Sequence, residues 1–313
     1  MNLSGAVVGL GLVTVVYLAV LVWLELTSGL LQLAPGLPRV VTVLVSCAMG
    51  SWAVRFCRWN WLMRRAGHSP PVLRAGLAYL AGFAFTATPG KVGELVRIRY
   101  FLPLGVPARL VVGLFVYERC LDLLVVLVLA MAGIGQVAEL WIAAVFVGLL
   151  IGAVLAVAGN PAWLDALARL CEERHLLRPA QAARTLAGGL ADARRWINWR
   201  DVTASLILGF IAWGLMAISF SWLIGQLQID LATGTGLAIF PLSMLIGAAS
   251  ILPGGLGSTE ASIVALLVIN DAPVAVATLA AVAARLSSLW SAVAFGMVAL
   301  ALSEYWKRRR DRP

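Results

Sequence analysis

Charged residues are scarce in this chain: only 12% of its 313 residues are Asp, Glu, Lys or Arg, whereas 61% are hydrophobic. A soluble domain of this length needs far more polar surface, so that class of protein is excluded. Apolar runs of about 20 residues recur along the chain, and each is long enough to cross the ~30 Å hydrocarbon core of a bilayer as a helix. The sequence therefore predicts an all-α polytopic membrane protein in which residues 1–313 form one integral domain.

Histidine and cysteine are also scarce. The two histidines lie in basic loops, and the four cysteines are scattered without C-x-x-C spacing, so we expect no metal site. The chain has no G-x-x-x-x-G-K-[ST] loop for nucleotide phosphates, and we expect no cofactor. The net charge of +9 does not predict nucleic-acid binding, because basic residues beside apolar runs set membrane topology and meet anionic lipids.

The basic residues concentrate in three segments, which are 64–74, 160–200 and the tail 303–313. The loops 28–38, 134–138, 226–232 and 270–272 contain no Lys or Arg. Because cytoplasmic loops carry the excess of Lys and Arg, all three basic segments should be cytoplasmic. That placement requires the glycine-broken segments 71–102 and 233–270 each to enter and leave the membrane on one face.

We therefore predict six full transmembrane helices plus two re-entrant helical hairpins related by an inverted repeat. Both termini are expected in the cytoplasm. Leucines at helical spacing predict amphipathic surface helices in the cytoplasmic segment 160–200, between the two halves. The six predicted spans are 5–27, 39–63, 108–133, 138–159, 202–225 and 273–302.

Two glycine-rich breaks interrupt the apolar pattern in the same way, PGKVGE at 89–94 and PGGLGSTE at 253–260. Proline removes a backbone donor and glycine relaxes the backbone, so one helix ends there and another can begin. The free N–H groups and partial positive charge of a helix N-terminus suit an anion. Each break also ends in a glutamate that is followed 25 residues later by an arginine, Arg119 after Glu94 and Arg285 after Glu260.

Charged residues inside the predicted spans strengthen the expectation of a central site, because each costs at least ~2.5–3.5 kcal/mol at the bilayer centre. We expect the buried acids to neutralise and orient the buried cations around an anionic head group. Arg55 and Arg58 are instead expected to extend to the interface, and Trp59 to lie in the interfacial belt. The predicted head-group site comprises Gly90, Lys91, Gly93, Glu94, Arg97, Glu118, Arg119, Asp122, Gly254, Gly255, Gly257, Ser258, Glu260 and Arg285.

Four segments together resemble a known family: PGKVGELVR (89–97), YERCLDLL (117–124), PGGLGSTEASIVALL (253–267) and AARLSSLW (283–290). They are similar to the flippase-like membrane domain, which is the transmembrane region of lysylphosphatidylglycerol synthetases and of stand-alone relatives. The resemblance implies an inner-membrane protein with re-entrant segments that moves an anionic or modified lipid between leaflets. Lys91 stands where the family more commonly has arginine, which keeps the charge but not the bidentate fork.

The leading hypothesis is a lipid translocase rather than an enzyme, acting on an aminoacyl-phospholipid or a polyprenyl-phosphate-linked lipid. One alternative is an intramembrane lipid transferase in which Glu94 or Asp122 acts as the general base. Another is an accessory subunit of a lipid, glycolipid or hopanoid synthesis complex, which would dock through the segment 160–200. Partner synthesis proteins and homo-oligomers both stay open at this point.

Overall fold

A computed structural model of the chain describes residues 36–133 and 162–310, together with isolated positions between 145 and 156. The predicted span 5–27 and nearly all of the loop 28–38 lie outside the described residues. So does most of the predicted span 138–159. Within the described ranges all regular structure is helical, as the composition predicts.

Eleven α-helices are described, and shorter helical turns connect several of them. The α-helices are α1 (Leu37–Arg65), α2 (Val72–Ala81), α3 (Ile98–Phe101), α4 (Ala108–Gly133), α5 (Ala162–Glu173), α6 (Leu177–Ala193), α7 (Trp199–Gln226), α8 (Thr233–Ala249), α9 (Ser258–Ile269), α10 (Val274–Arg285) and α11 (Ser291–Arg310). The 3₁₀ turns are Gly82–Phe85, Pro89–Arg97, Leu102–Leu104, Arg194–Trp196 and Pro253–Gly255, and a π-helical turn covers Leu286–Trp290.

Three described helices are long and apolar enough to cross a membrane, namely Pro38–Arg65, Trp199–Gln226 and Val274–Lys307. They correspond to three of the predicted spans. The helix α4 has the predicted bounds and 26 residues, but three charged residues lie in its middle. The total of six spans stays a prediction. The helix Val274–Lys307 covers the predicted span 273–302 and contains a π-helical turn directly after Arg285.

Both predicted breaks are present, and the helices beside them are short. The first segment runs as an apolar helix over Val72–Phe85 and turns at Gly90 and Lys91, whose φ values of 59° and 56° are left-handed. The second segment breaks between α8 and α9, and Gly254 has φ 60°. The first break differs from expectation in its second leg, which is a 3₁₀ helix over Pro89–Arg97 and not an α-helix.

Polar contacts join several helix ends at one end of the bundle. The helix ends that meet there are the C-terminal ends of α1, α6 and α11 and the N-terminal ends of α4 and α7. The chain between α1 and α4, residues 66–107, therefore starts and finishes at this end. The contacts are Trp196 Nε1 to Leu62 O at 3.2 Å, Arg65 Nε to Asp201 Oδ1 at 3.1 Å, Arg109 Nε to Asp192 Oδ2 at 3.4 Å and Arg99 Nε to Glu304 Oε1 at 3.0 Å.

The segment between the halves forms the predicted amphipathic helices, α5 and α6, and they pack on α4. Leu164 and Leu190 are buried in a small apolar cluster beside Val116 of α4. The backbones of α4 and α6 touch, since a Cβ on Gly113 would lie 2.6 Å from the carbonyl oxygen of Gly189. Part of the apolar face predicted to lie on the surface is thus used inside the protein.

Candidate functional site

The two broken segments meet at their tips, which are residues 87–91 and 253–255. A Cβ added to Gly254 would lie 3.0 Å from Ala87 Cα, so the second tip packs directly on the first. The left-handed φ of Gly254 is a conformation that other L-residues rarely adopt. The sequence predicts that the two tips face one another, and the structure brings them into contact.

An ion-pair cluster between α1 and α4 lies beside the tips. Arg58 Nη2 is 2.6 Å from Asp122 Oδ1 and 3.0 Å from Glu118 Oε1. Arg55 Nη2 is 2.8 Å from Asp122 Oδ2. The expectation that Arg55 and Arg58 extend to the interface was wrong, because these residues are only 7% and 1% exposed. Their spacing of three residues on α1, opposite acids four apart on α4, is the signal that could have revealed this.

Glu94 and Arg97 form bonds within the first broken segment that stabilise its tip. Glu94 accepts hydrogen bonds from Thr86 Oγ1 and Arg97 Nη2, both at 2.8 Å. The Arg97 guanidinium lies 4.8 Å from the ring centre of Trp59 and 4.4 Å from that of Tyr79, a cation–π arrangement. Trp59 is 1% exposed, so its predicted place in the interfacial belt was wrong. Its ring instead packs against the buried guanidinium of Arg97.

Arg285 joins the second tip to the start of α9. Its Nε donates to Glu260 Oε1 at 2.9 Å, and its Nη2 donates to the carbonyl oxygen of Gly254 at 2.7 Å. These two residues are separated by the 25 residues that recur in both halves of the sequence. The other Glu260 oxygen accepts from Gly257 N at 2.9 Å, so Glu260 caps its own helix. The N-terminus of α9, which was expected to face an anion, therefore already has a carboxylate.

The corresponding pair in the first half does not form. Arg119 Nη2 lies 3.5 Å from both Glu118 Oε2 and Asp122 Oδ2, while Glu94 pairs with Arg97. The same sequence spacing thus corresponds to a hydrogen-bonded glutamate–arginine pair in the second half. In the first half the arginine has no contact with the matching glutamate. Arg119 is left near carboxylates without a close hydrogen bond, with 18% of its side chain exposed.

A cavity of about 350 Å³ lies between the tips, α4 and α8. Lys91 and Arg119 are its cations, and Asp122 is the carboxylate in its wall. Two kinds of polar group in that wall have no hydrogen-bond partner among the described residues, the Nε and Nη2 of Arg119 and the hydroxyl of the fully buried Thr259. Most of the remaining lining is apolar, including Phe115, Leu123, Val126, Trp213, Leu245 and Leu252.

A second, smaller cavity of about 60 Å³ lies on the other side of the tips. Its polar lining includes Arg55, Thr86, Glu94 and Arg285. Four residues border both cavities and separate them: Lys91, Trp213, Met244 and Gly254.

Eight of the fourteen predicted site residues line one cavity or the other, namely Gly90, Lys91, Glu94, Arg119, Asp122, Gly254, Gly255 and Arg285. The other six support the tips and the cluster without lining either cavity; they are Gly93, Arg97, Glu118, Gly257, Ser258 and Glu260. Ser258, for example, donates to the carbonyl oxygen of Gly255 at 3.1 Å.

Sequence reasoning missed Arg55, Thr86 and Thr259 as cavity residues, since hydroxyls and an arginine near a helix end carry no distinctive pattern. No group of three metal-ligating side chains occurs in the part of the chain that the structure describes.

Comparison with known proteins bears on the family of the chain. A family model described as the lysylphosphatidylglycerol synthase transmembrane region matches residues 5–296. A UPF0104 membrane protein of Methanothermobacter thermautotrophicus is 26% identical over 113 residues, which are 36% of this chain and 34% of that protein. The match therefore spans about a third of the length of this relative. No solved structure matches the chain.

Proposed function

We propose a translocation function from one premise: the chain belongs to the family of the lysylphosphatidylglycerol synthase transmembrane region. In this proposal the protein moves a lipid with an anionic head group across the membrane. The observation that carries it is the contact of the two tips beside a cavity whose cations are Lys91 and Arg119. The head group would occupy this cavity while the apolar tail stays in lipid.

The contacts between helix ends support the proposed topology. Residues 66–107 start and finish at the end of the bundle where α7 begins, and α7 runs from there to the opposite end. Residues 227–273 then lie between α7 and the helix Val274–Lys307, which returns to the first end, where Glu304 meets Arg99. Each broken segment would accordingly be a re-entrant hairpin, the two entering from opposite faces of the inner membrane, with six full spans and cytoplasmic termini.

The boundary between the two cavities suggests how a head group would pass. Lys91 and Gly254 lie on the two tips and border both cavities. If one half rocks against the other, the tips separate and the two cavities merge. Lys91 would then contact the phosphate on both sides of the boundary, which gives a side chain of this length and flexibility a direct role in transfer.

The bonding of the carboxylates favours translocation over the transferase alternative. Both oxygens of Asp122 and both of Glu94 accept close hydrogen bonds. A general base takes up the proton that it removes, and protonation of either carboxylate would weaken the ion pairs that it makes with its arginine partners. The accessory-subunit alternative requires docking of a partner on the segment 160–200. The apolar surface available there is reduced, because α5 and α6 pack part of their apolar face on α4.

The test is a lipid-flipping assay with purified protein in liposomes. Lipids labelled with a fluorophore on the acyl chain are quenched from outside, and the quenched fraction reports exchange between leaflets. We expect flipping of an anionic lipid by the wild type and a loss of at least about tenfold in Arg119→Ala, since hydrogen bonds to charged groups contribute about 1.5–3 kcal/mol each. The matched control is Arg109→Ala on the same helix, whose partner Asp192 lies far from the cavity lining. A wild type that flips none of the anionic lipids would refute the proposal.

A further inference from the structure

We propose that the head group recognised in the larger cavity is a phosphomonoester, which carries close to two negative charges, and not an aminoacyl-phospholipid. This inference rests on the proposed function and specifies its substrate class. Three observations carry it: the excess of positive charge around the tips, the donors without partners in residues that border the cavity and the engagement of the lining carboxylate by two arginines.

The first observation is the charge of the buried cluster. Six cations meet around the two tips and α4, and four carboxylates oppose them. The excess is therefore two positive charges. Lys91 and Arg119 are partly exposed where they border the larger cavity, whereas the other four cations are buried. A ligand whose charge matches the excess is favoured there over one that leaves or enlarges it. The cations are Arg55, Arg58, Lys91, Arg97, Arg119 and Arg285, and the carboxylates are Glu94, Glu118, Asp122 and Glu260.

The second observation is the set of donors that the protein leaves unused. Arg119 and Thr259 border the larger cavity, and Arg119 Nε and Nη2 and the Thr259 hydroxyl lie beneath its surface with no hydrogen-bond partner among the described residues. Thr259 is 0% exposed, so water outside the protein does not satisfy its hydroxyl. Buried polar groups are nearly always paired in proteins. Rotation of the Arg119 and Thr259 side chains toward the cavity would offer these donors to the oxygens of a phosphate group.

The third observation concerns acceptors. Asp122 is the carboxylate in the lining of the larger cavity, and its two oxygens already accept from Arg55 and Arg58. An ammonium head group needs carboxylate or carbonyl acceptors, and the charge of Asp122 is already shared between two guanidinium groups. An aminoacyl-phospholipid would also add positive charge to a cluster that already has an excess. A phosphodiester carries one negative charge and would neutralise half of that excess, whereas a phosphomonoester carries about 1.5–2 at pH 7.

The experiment compares four acyl-labelled lipids with the same tails in proteoliposomes of the full chain. Phosphatidic acid is the phosphomonoester, phosphatidylglycerol the phosphodiester, lysylphosphatidylglycerol the aminoacyl lipid, and phosphatidylcholine the lipid without net charge. We expect phosphatidic acid to be flipped at least about tenfold faster than each of the others, the effect of one charge-assisted hydrogen bond. Arg119→Gln should remove most of this preference, while the control Arg109→Gln should keep it.

Other results overturn the inference in ways that separate it from the function. Equal rates for phosphatidic acid and phosphatidylglycerol, or faster flipping of lysylphosphatidylglycerol, would refute the phosphomonoester and leave the translocase intact. No flipping of any of the four lipids would refute the translocase and the inference with it. A parallel arm measures uptake of radiolabelled inorganic phosphate into the same vesicles: uptake that Arg119→Gln abolishes, without lipid flipping, would assign the phosphate site to a soluble ion. Gel filtration of each variant establishes that it is folded.

Discussion

Arg58 of α1 and Asp122 of α4 lie 2.6 Å apart and are 1% and 3% exposed. Asp122 also binds Arg55, so one carboxylate holds two guanidinium groups from the neighbouring helix. A charge network of this kind fixes the register of the two helices as well as the charge of the cavity wall.

Replacing Asp122 should therefore destabilise the protein and not merely inactivate it. Asp122→Asn leaves Arg55 and Arg58 with only Glu118, and breaking a buried pair in this way costs about 3–5 kcal/mol. We expect a clearly lower thermal unfolding temperature in detergent. Glu172→Gln is the control, since its partner Arg184 is on the surface and exposed pairs contribute about 0–1 kcal/mol. Equal unfolding temperatures for the two variants would contradict the prediction.

Contact between the tips should be intolerant of a single methyl group. Gly254→Ala places a Cβ about 3.0 Å from Ala87 Cα in a left-handed conformation that alone costs roughly 1–2 kcal/mol. We expect lower stability and loss of lipid flipping. Gly214→Ala in α7 is the matched control, because a Cβ there meets nothing within 4 Å and alanine in a helix is favoured over glycine by about 0.5–1 kcal/mol. Normal flipping by Gly254→Ala would show that the tip contact is dispensable.

Arg285 and Glu260 should act as one unit in transport. Arg285→Ala removes the donor to the Gly254 carbonyl as well as the partner of Glu260, so it should reduce flipping by at least about tenfold. Because the two residues contact each other, the double variant with Glu260→Gln should lose less than the sum of the single losses. Additive losses in this double-mutant cycle would argue that the pair is incidental. Arg99→Ala, which breaks a half-exposed pair with Glu304, is the control.

Lys91 should contribute its charge rather than its shape. Its φ of 56° is left-handed, and asparagine tolerates that region better than most residues. Lys91→Asn keeps the backbone but removes the charge, and we expect flipping to fall by about tenfold. Lys91→Arg keeps the charge and should retain most of the rate. If both variants flip lipid like the wild type, Lys91 does not contact the head group.

The proposed topology is tested by cysteine labelling from one side of the membrane. Single cysteines at Arg174, between α5 and α6, and at Asp230, between α7 and α8, both lie at exposed positions. We expect a membrane-impermeant maleimide applied outside to label the cysteine at 230 and spare the one at 174. Labelling of both positions from the same side would rule out hairpins that enter from opposite faces.

Several elements of the fold follow from local sequence. The bounds 108–133 of α4 and both glycine breaks could be predicted, because apolar runs, proline and glycine act on the residues beside them. The repeated spacing of 25 residues coincides with a formed ion pair for Glu260 and Arg285. Arg119 and Glu94 have the same spacing but do not pair, because Arg97 lies one helical turn from Glu94 and forms the ion pair with it instead.

The sequence by itself determined that the chain is a helical membrane protein with two glycine breaks, since composition and local backbone chemistry settle these properties. Only the tertiary structure decided which charges pair. It moved Arg55 and Arg58 into the cluster, placed Trp59 beneath Arg97, and left donors of Arg119 and Thr259 without hydrogen-bond partners beside a cavity. The physical reason is that pairing depends on which helix faces pack together, and this is set by contacts between residues far apart in the chain.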